Sequence, residues 1–456
     1  MALRDPLFYA VRGSRVVIGP DLRQISRIDW IDDRFDPTGL LISMGYEWLR
    51  AAIGPSTPIA GVCSLRPGTY LSIDRGGVSR AAPPAIEPVS GWSGDLTSAM
   101  AEAEALMTRI VRQRMVGGRY TCLLSGGLDS STLAWLIANN LRPDEQLHFL
   151  TSAAGAPGQI DEFNDAAIVA AHLGVPHVPV IAGPSAGPYR PGPDHFRGRN
   201  GPSLSLRHYL YDDFAATSRA LGAPLLFDGL FGEMTFTNTL PLRGETAGIR
   251  NALKHLRTYL SEPTIVGADA LFHVNLARHW LARLPPDIEE ARRRKPRAHR
   301  LPSRRELWGA SPAITKANRA IPQFELGRVR QVMPFRDQRL TALFASFPAN
   351  MLYPEVGART PAREFLKGKL PDAIRLRGKG PGIAPDYFER LKAEAGAARE
   401  RIPLFRRAGA DEWIDLEVLD RGLARNGAGI SAFGEAARTQ LTALAGEFFV
   451  WWRGIS

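Results

Sequence analysis

Two cysteines, Cys63 and Cys122, are all that this chain of 456 residues contains, and they fall in no metal-binding or redox spacing. That excludes a disulfide-built secreted fold, and both thiols are expected to be reduced and buried in a cytoplasmic protein. No stretch approaches the roughly 20 apolar residues of a membrane span. The opening MALRDPLFYA lacks the apolar core of a signal peptide. Aromatic residues make up 9% of the chain, and none interleave with its densest basic run, Arg292-Arg293-Arg294-Lys295-Pro296-Arg297-Ala298-His299-Arg300. The net charge of +11 is therefore not read as a nucleic-acid surface, because no stacking platform accompanies it. The run is read as a solvated loop or helix end, with some capacity to attract an acidic peptide or ATP. No internal repeat is present.

Hydrophobic residues reach 45% and charged residues 23%, enough for an ordinary globular core. From residue 1 to about 90 the pattern is of short strands and turns. Leu7-Phe8-Tyr9-Ala10 and Arg15-Val16-Val17-Ile18 flank Arg12-Gly13-Ser14 as a hairpin, and Thr69 to Ile73 reads as another strand. Ala81 to Gly94, rich in Pro, Gly and Ser, reads as a linker. From about 98 the period changes. Helical spacing over Ala99–Met115 is followed by strand-like runs at Tyr120–Leu124, His148–Thr151, His177–Val180 and Pro224–Phe227. Helical segments at Ser130–Asn140, Glu162–Leu173 and Ser205–Leu221 separate them, so an α/β fold with a parallel sheet is expected. Ala182–Pro202 is long for a connection and reads as mobile or functional. Residues 240–456 read as mainly helical.

The chemistry sits at Ser125-Gly126-Gly127-Leu128-Asp129-Ser130, between the first of those strands and the helix after it. Ligands of parallel sheets bind beyond the carboxyl ends of the strands. Paired glycines let backbone N–H groups close on phosphate oxygens, Ser125, Ser130 and Ser131 add hydroxyls, and the helix start favours an anion. Asp129 is an oxygen ligand suited to Mg²⁺. The bland alternative is a strand-to-helix turn capped by Asp129 or Ser130, which accounts for one residue but not for the hexapeptide. No Lys follows the glycines, so this is not the phosphate loop of the P-loop NTPases. His148, His172 and His177 lack ligand spacing, and Trp451-Trp452 reads as helix packing.

The hexapeptide resembles the pyrophosphate loop of the ATP pyrophosphatases, whose members adenylate a substrate. Further segments, in order, resemble the synthetase domain of asparagine synthetase. They are Leu226 to Glu233 after a strand, Met333-Pro334-Phe335-Arg336-Asp337, Leu370-Pro371, and Arg377-Gly378-Lys379-Gly380. Glu162 and Asp165 fit its acidic helix. At the other end, Asp5-Pro6-Leu7-Phe8-Tyr9 and Thr57 to Thr69 resemble strands late in a glutaminase domain. The resemblance covers roughly residues 5–400. It implies a truncated, degenerate glutaminase-like (Ntn-type) β-rich domain over 1–90 and an ATP-binding synthetase domain over 98–456 with a helical C-terminal part. Residue 2 is Ala rather than the family's nucleophilic Cys, so glutamine hydrolysis is expected to be lost.

The resemblance assigns ATP and Mg²⁺ to the chain. ATP is expected at Leu123, Ser125, Gly126, Gly127, Asp129, Ser130, Ser131, Ser152 and Gly229, with Asp129, Lys379 and Arg377 acting in catalysis. Metal ligands are Asp129 with Glu233, or with Asp228 as a substitute, because the family's Asp-Glu pair is broken here. Arg336 and Asp337 are otherwise a local surface ion pair. Relatives without the glutaminase cysteine include β-lactam, carbapenam and lasso-peptide macrolactam synthetases. The shortened N-terminal part looks most like the last, in which a peptide N-terminal amine attacks an Asp or Glu side chain. That implies a precursor peptide as substrate, and a leader peptidase and a leader-binding protein as partners. The competing readings are a β-lactam- or asparagine-forming ligase, a tRNA-modifying ATP pyrophosphatase, and a catalytically dead binding protein.

Overall fold

The computed structural model describes residues 7–44, 56–65, 70–74, 77–81, 92–155, 162–183, 187–192, 195–196, 201, 205–232, 235–237, 274–282, 284–293, 325–326, 329–352, 359–378 and 386–455. Strands β1 (Leu7–Arg12) and β2 (Arg15–Gly19) form the expected hairpin, and β3 (Val62–Leu65) pairs with β1 on its other side. β4 (Tyr70–Asp74) and β5 (Gly77–Ala81) make a separate two-stranded ribbon. Two short helices intervene that the strand-like reading of this region did not foresee. They are α1 (Leu22–Ser26) and α2 (Pro37–Ser43), whose starts are set by Asp21 and Asp36 accepting from backbone N–H groups. In α2 a proline in the first turn adds its pre-set φ.

The larger sheet runs in the order β10-β11-β9-β6-β7-β8. Five strands are parallel: β6 (Arg119–Leu123), β7 (Gln146–Ser152), β8 (His177–Val180), β9 (Leu225–Phe227) and β11 (Val329–Val332). Only β10 (Glu325–Leu326), at the edge, is antiparallel. Helix α3 (Leu96–Arg114) precedes β6, and α4 (Leu128–Ala138), α5 (Phe163–Leu173) and α6 (His208–Ala220) follow β6, β7 and β8 in turn. Beyond the sheet lie α7 (Gln338–Ser346), α8 (Thr360–Phe365), α9 (Tyr387–Glu400), α10 (Leu416–Ala428) and α11 (Phe433–Arg453). β11 falls within residues 240–456, whose pattern is mainly helical and marks no strand there. Its interior carries Arg330 and Gln331, so the apolar run that marks a buried strand is broken, although Gln331 is buried.

Residues alternate across the sheet into two cores. Tyr120, Cys122, Phe149, Leu225 and Phe227 face α3, α4, α5, α7 and α8. Leu150, Val180 and Leu226 face α6 and the layer of α9, α10 and α11. Covering both faces is what a parallel sheet requires, and each fully buried ring such as Phe227 contributes about 2 kcal/mol of transfer free energy. Leu40, Leu41, Ile42 and Met44 of the N-terminal region join the second core. Phe35 packs edge-on to Phe449 and against Trp452, so the tryptophan pair is helix packing as expected.

β6 is flanked by β7, the next strand in sequence, and by β9, which arrives only after β8. Connections leaving β6 and β9 therefore diverge, and a crevice opens at their carboxyl ends. The glycine hexapeptide stands there.

Candidate active site

Helix α4 begins at Leu128 with Gly127 as its N-cap and no side chain capping it. The bland reading of the hexapeptide as a side-chain-capped turn is thus not what the fold adopts. The Gly127 N–H donates to Ser125 Oγ at 3.3 Å and the Ser131 N–H to the Gly127 carbonyl at 2.9 Å, and a helix start left without a side-chain cap favours an anion. Ser130 instead staples the loop to itself. Its Oγ accepts from Ser125 N–H at 3.1 Å, lies 3.0 Å from Ser125 Oγ and donates to the Gly127 carbonyl at 3.1 Å. Gly126 has φ 68°, and a Cβ there would stand 2.5 Å from Asp165 Cβ. The loop is pressed so closely onto α5 that only glycine fits.

Three segments distant in sequence converge on this loop. Arg377 Nη2 pairs with Asp165 Oδ2 at 2.6 Å, and its Nη1 reaches the Ser125 carbonyl at 3.4 Å. Gly229, after β9, packs against the backbone of Ser130, where a Cβ would come within 2.9 Å of its Cα. The Thr237 hydroxyl, buried, donates to Asp129 Oδ1, and Gly232 leaves no room for a Cβ beside the same carboxylate. Phe231, between those glycines, has φ 76°, a left-handed conformation rare for a bulky residue. Its ring lies under the Arg336 guanidinium, 5.5 Å from ring centre to Cζ.

Asp228 is a different matter. It is buried inside the sheet end. Oδ1 accepts from Leu230 N–H at 3.0 Å, and Oδ2 from Tyr211 Oη at 3.1 Å and Gln331 Nε2 at 2.7 Å. Burial pushes its pKa up against those three donors. A carboxyl so committed braces β9 against β11 and α6. Burial likewise raises the Glu162 carboxyl, against the lowering fields of Arg207 and Arg377.

Asp337, read as a surface partner of Arg336, pairs instead with Arg339 at 2.9 Å and Arg114 at 3.1 Å, and caps α7. Asp337 thereby pins α7 to α3. Arg336 is half-buried, and that desolvation lowers its pKa to about 10. Leu123 closes β6, with Leu124 N–H bonded to Leu150 O at 2.9 Å. Ser152 closes β7, and its buried Oγ has no partner, nor does that of Ser131 in α4. Glu233, Lys379 and Ala2 lie outside the described residues, as does most of the basic run from Arg294 onward.

Gly232 lies in the Leu226–Glu233 segment that the resemblance marked, whereas Thr237 carried no sequence signal, because its importance lies in what it touches. Asp165 and Arg377 were legible one at a time, but not as a pair. Among the described residues no cluster of three His, Cys, Asp or Glu side chains could hold a metal. One carboxylate at a phosphate-binding helix start is nevertheless the donor set that Mg²⁺ uses, with nucleotide oxygens completing its shell. The unpartnered hydroxyls and the glycine-lined cradle fit the nucleotide phosphates that such an ion accompanies. Of the two thiols, Cys122 is fully buried with its pKa raised by that burial, and Cys63 lies within β3, opposite Tyr9. No helix among the described residues is long and apolar enough to cross a membrane.

Residues 102–189 match the family model for asparagine synthase. No curated protein matches the chain. Among solved structures the chain is matched to an NH3-dependent NAD synthetase from Campylobacter jejuni, at 13% identity and a TM-score of 0.21. The overlap covers 44% of this chain and 93% of that one. The matched asparagine synthase segment contains β6, the glycine loop and α5, and it marks the chain as an ATP-using carbon–nitrogen ligase.

Proposed function

We propose that this ligase closes a macrolactam in a lasso-type precursor peptide, joining the peptide's N-terminal amine to the side-chain carboxylate of an Asp or Glu. The observation that carries the reading is the Ser125–Ser130 loop at the start of α4, with Asp129 held by Thr237 and with the Arg377–Asp165 pair against the loop. A ligase of this kind needs an amine. Neither thiol of this chain is placed to release ammonia from glutamine, which favours an amine already carried on the substrate.

A substrate carboxylate oxygen attacks the α-phosphorus of ATP, the bond to the β-phosphate oxygen breaks, and pyrophosphate leaves toward the glycine loop. The amine nitrogen then attacks the acyl carbon, the bond to the AMP oxygen breaks, and the ammonium proton goes to solvent. Asp129 would hold Mg²⁺, which neutralises phosphate charge when bound. Loop N–H groups and the α4 dipole meet the leaving pyrophosphate, and Arg377 fixes the loop's shape through Ser125 O. The second step is intramolecular, so holding the two peptide ends together does most of the work. Lys379 would add positive charge near the reacting phosphate, and a precursor-processing protease and a leader-binding protein would deliver the peptide.

The test is to incubate the protein with ATP, Mg²⁺ and a candidate precursor core peptide. AMP, pyrophosphate and a peptide lighter by one water are expected. ADP as the nucleotide product sinks the ATP chemistry. Glutamate released from glutamine sinks the substrate-borne amine.

A further inference from the structure

Arg377 is the cation that lies against the glycine loop, yet its charge is already answered by Asp165 at 2.6 Å. The next guanidinium is that of Arg363, on α8. Its Nη2 donates to the Arg377 carbonyl at 3.4 Å, so the two arginines adjoin. The Arg363 Nε is buried and has no acceptor. Among the described residues no carboxylate pairs with it, and its side chain makes no other bond than that to Arg377 O.

Its place in the wall of the site is fixed by α8. Ala362 N–H donates to Phe236 O at 2.9 Å, and the residue after Phe236 is Thr237, whose hydroxyl holds Asp129. Phe236 is itself locked by rings from Phe335, Phe344 and Phe365. One continuous brace thus joins Asp129 to Arg363, and Arg363 through Arg377 to Ser125. A half-buried guanidinium without a counter-charge is costly, and an anion arriving in the site removes that cost. The planar fork of Arg matches phosphate oxygens two at a time.

We propose that Arg363 is a pyrophosphate-binding residue that supplies the uncompensated positive charge of the site, while Arg377 serves to hold Asp165 and the glycine loop in position. This rests on the ATP reading above, since the anion it takes is the product of that reaction.

Calorimetric titration of the full chain with inorganic pyrophosphate tests it, on wild type, Arg363→Gln, Arg363→Lys and, as control, Arg375→Gln, which removes only a pairing with the exposed Asp372. Arg363→Gln is expected to weaken pyrophosphate binding at least about tenfold, as loss of a charge-assisted bidentate contact does. Arg363→Lys keeps the charge without the fork and is expected to fall between. Arg375→Gln is expected to bind as wild type does. A merely structural role for Arg363 lowers the melting temperature and leaves pyrophosphate affinity unchanged, and that result overturns the proposal. Should Arg363→Gln not fold, Arg363→Met binding pyrophosphate as tightly as wild type overturns it equally. Wild-type protein that binds no pyrophosphate removes the ATP reading itself, a result distinct from the others.

Discussion

Asp165, in the first turn of α5, and Arg377, after the short helix Asp372–Arg375, meet at 2.6 Å beside the glycine loop, and Arg377 passes the connection on to Ser125 O. Asp165→Asn keeps the shape that packs on Gly126 and removes the charge. The pair is partly exposed, so the cost in stability is expected to be only about 1 kcal/mol. Turnover to AMP is expected to fall at least about tenfold, because Arg377 loses its anchor. A melt and a steady-state assay on the same sample separate the two. Unchanged turnover means that the pair is ornamental to the chemistry.

Thr237→Val removes the hydroxyl that orients Asp129. A hydrogen bond to a carboxylate is worth about 1.5 kcal/mol, roughly a tenfold change in an equilibrium. The Mg²⁺ concentration needed for half-maximal binding of a non-hydrolysable ATP analogue is expected to rise by about that factor, with Thr237→Ser close to wild type. Identical Mg²⁺ curves for all three proteins would show that Asp129 needs no orienting partner.

Gly126→Ala places a methyl group 2.5 Å from Asp165 Cβ at φ 68°. Left-handed strain alone costs about 1–2 kcal/mol, and the clash adds to it. A lower melting temperature is expected together with loss of ATP-analogue binding. An alanine variant that melts and binds like wild type would mean that the loop sits farther from α5.

Glu145 gives a pH dependence with a definite sign. Burial raises its pKa, but Arg112, the Arg142 N–H and the Tyr120 hydroxyl outweigh that and hold it at about 2, below its ordinary 4.5. A carboxyl depressed on folding stabilises the protein above about pH 4.5 and loses that contribution as pH falls toward 2. Unfolding free energies of wild type and Glu145→Gln from urea titrations are therefore expected to differ by about 2 kcal/mol at pH 7 and to converge near pH 2 to 3. A gap that does not shrink in acid would assign the difference to packing rather than charge.

The residues by themselves determined most of the sheet. Alternation of short apolar runs with helical periods marked β6, β7, β8 and β9, because a parallel strand is buried on both faces and must be apolar along its length. Local rules also marked the Gly13 turn and the glycine hexapeptide, since both depend on a backbone that few other residues adopt. What failed was whatever depends on a partner far along the chain. β11 carries Arg330 and Gln331 and was hidden, since Gln331 is made tolerable only by bonding Asp228 across the sheet. Asp228 looked like a metal ligand from its neighbours in sequence, and the fold turned it inward onto Tyr211 and Gln331. Asp337 looked like the partner of the adjacent Arg336, and the fold gave it Arg114 and Arg339. Thr237 and Arg363 carry no motif, because a hydroxyl or a guanidinium becomes functional only by where packing leaves it. Sequence fixes which groups can bind phosphate; only tertiary packing decides which of their charges remain uncompensated when it arrives.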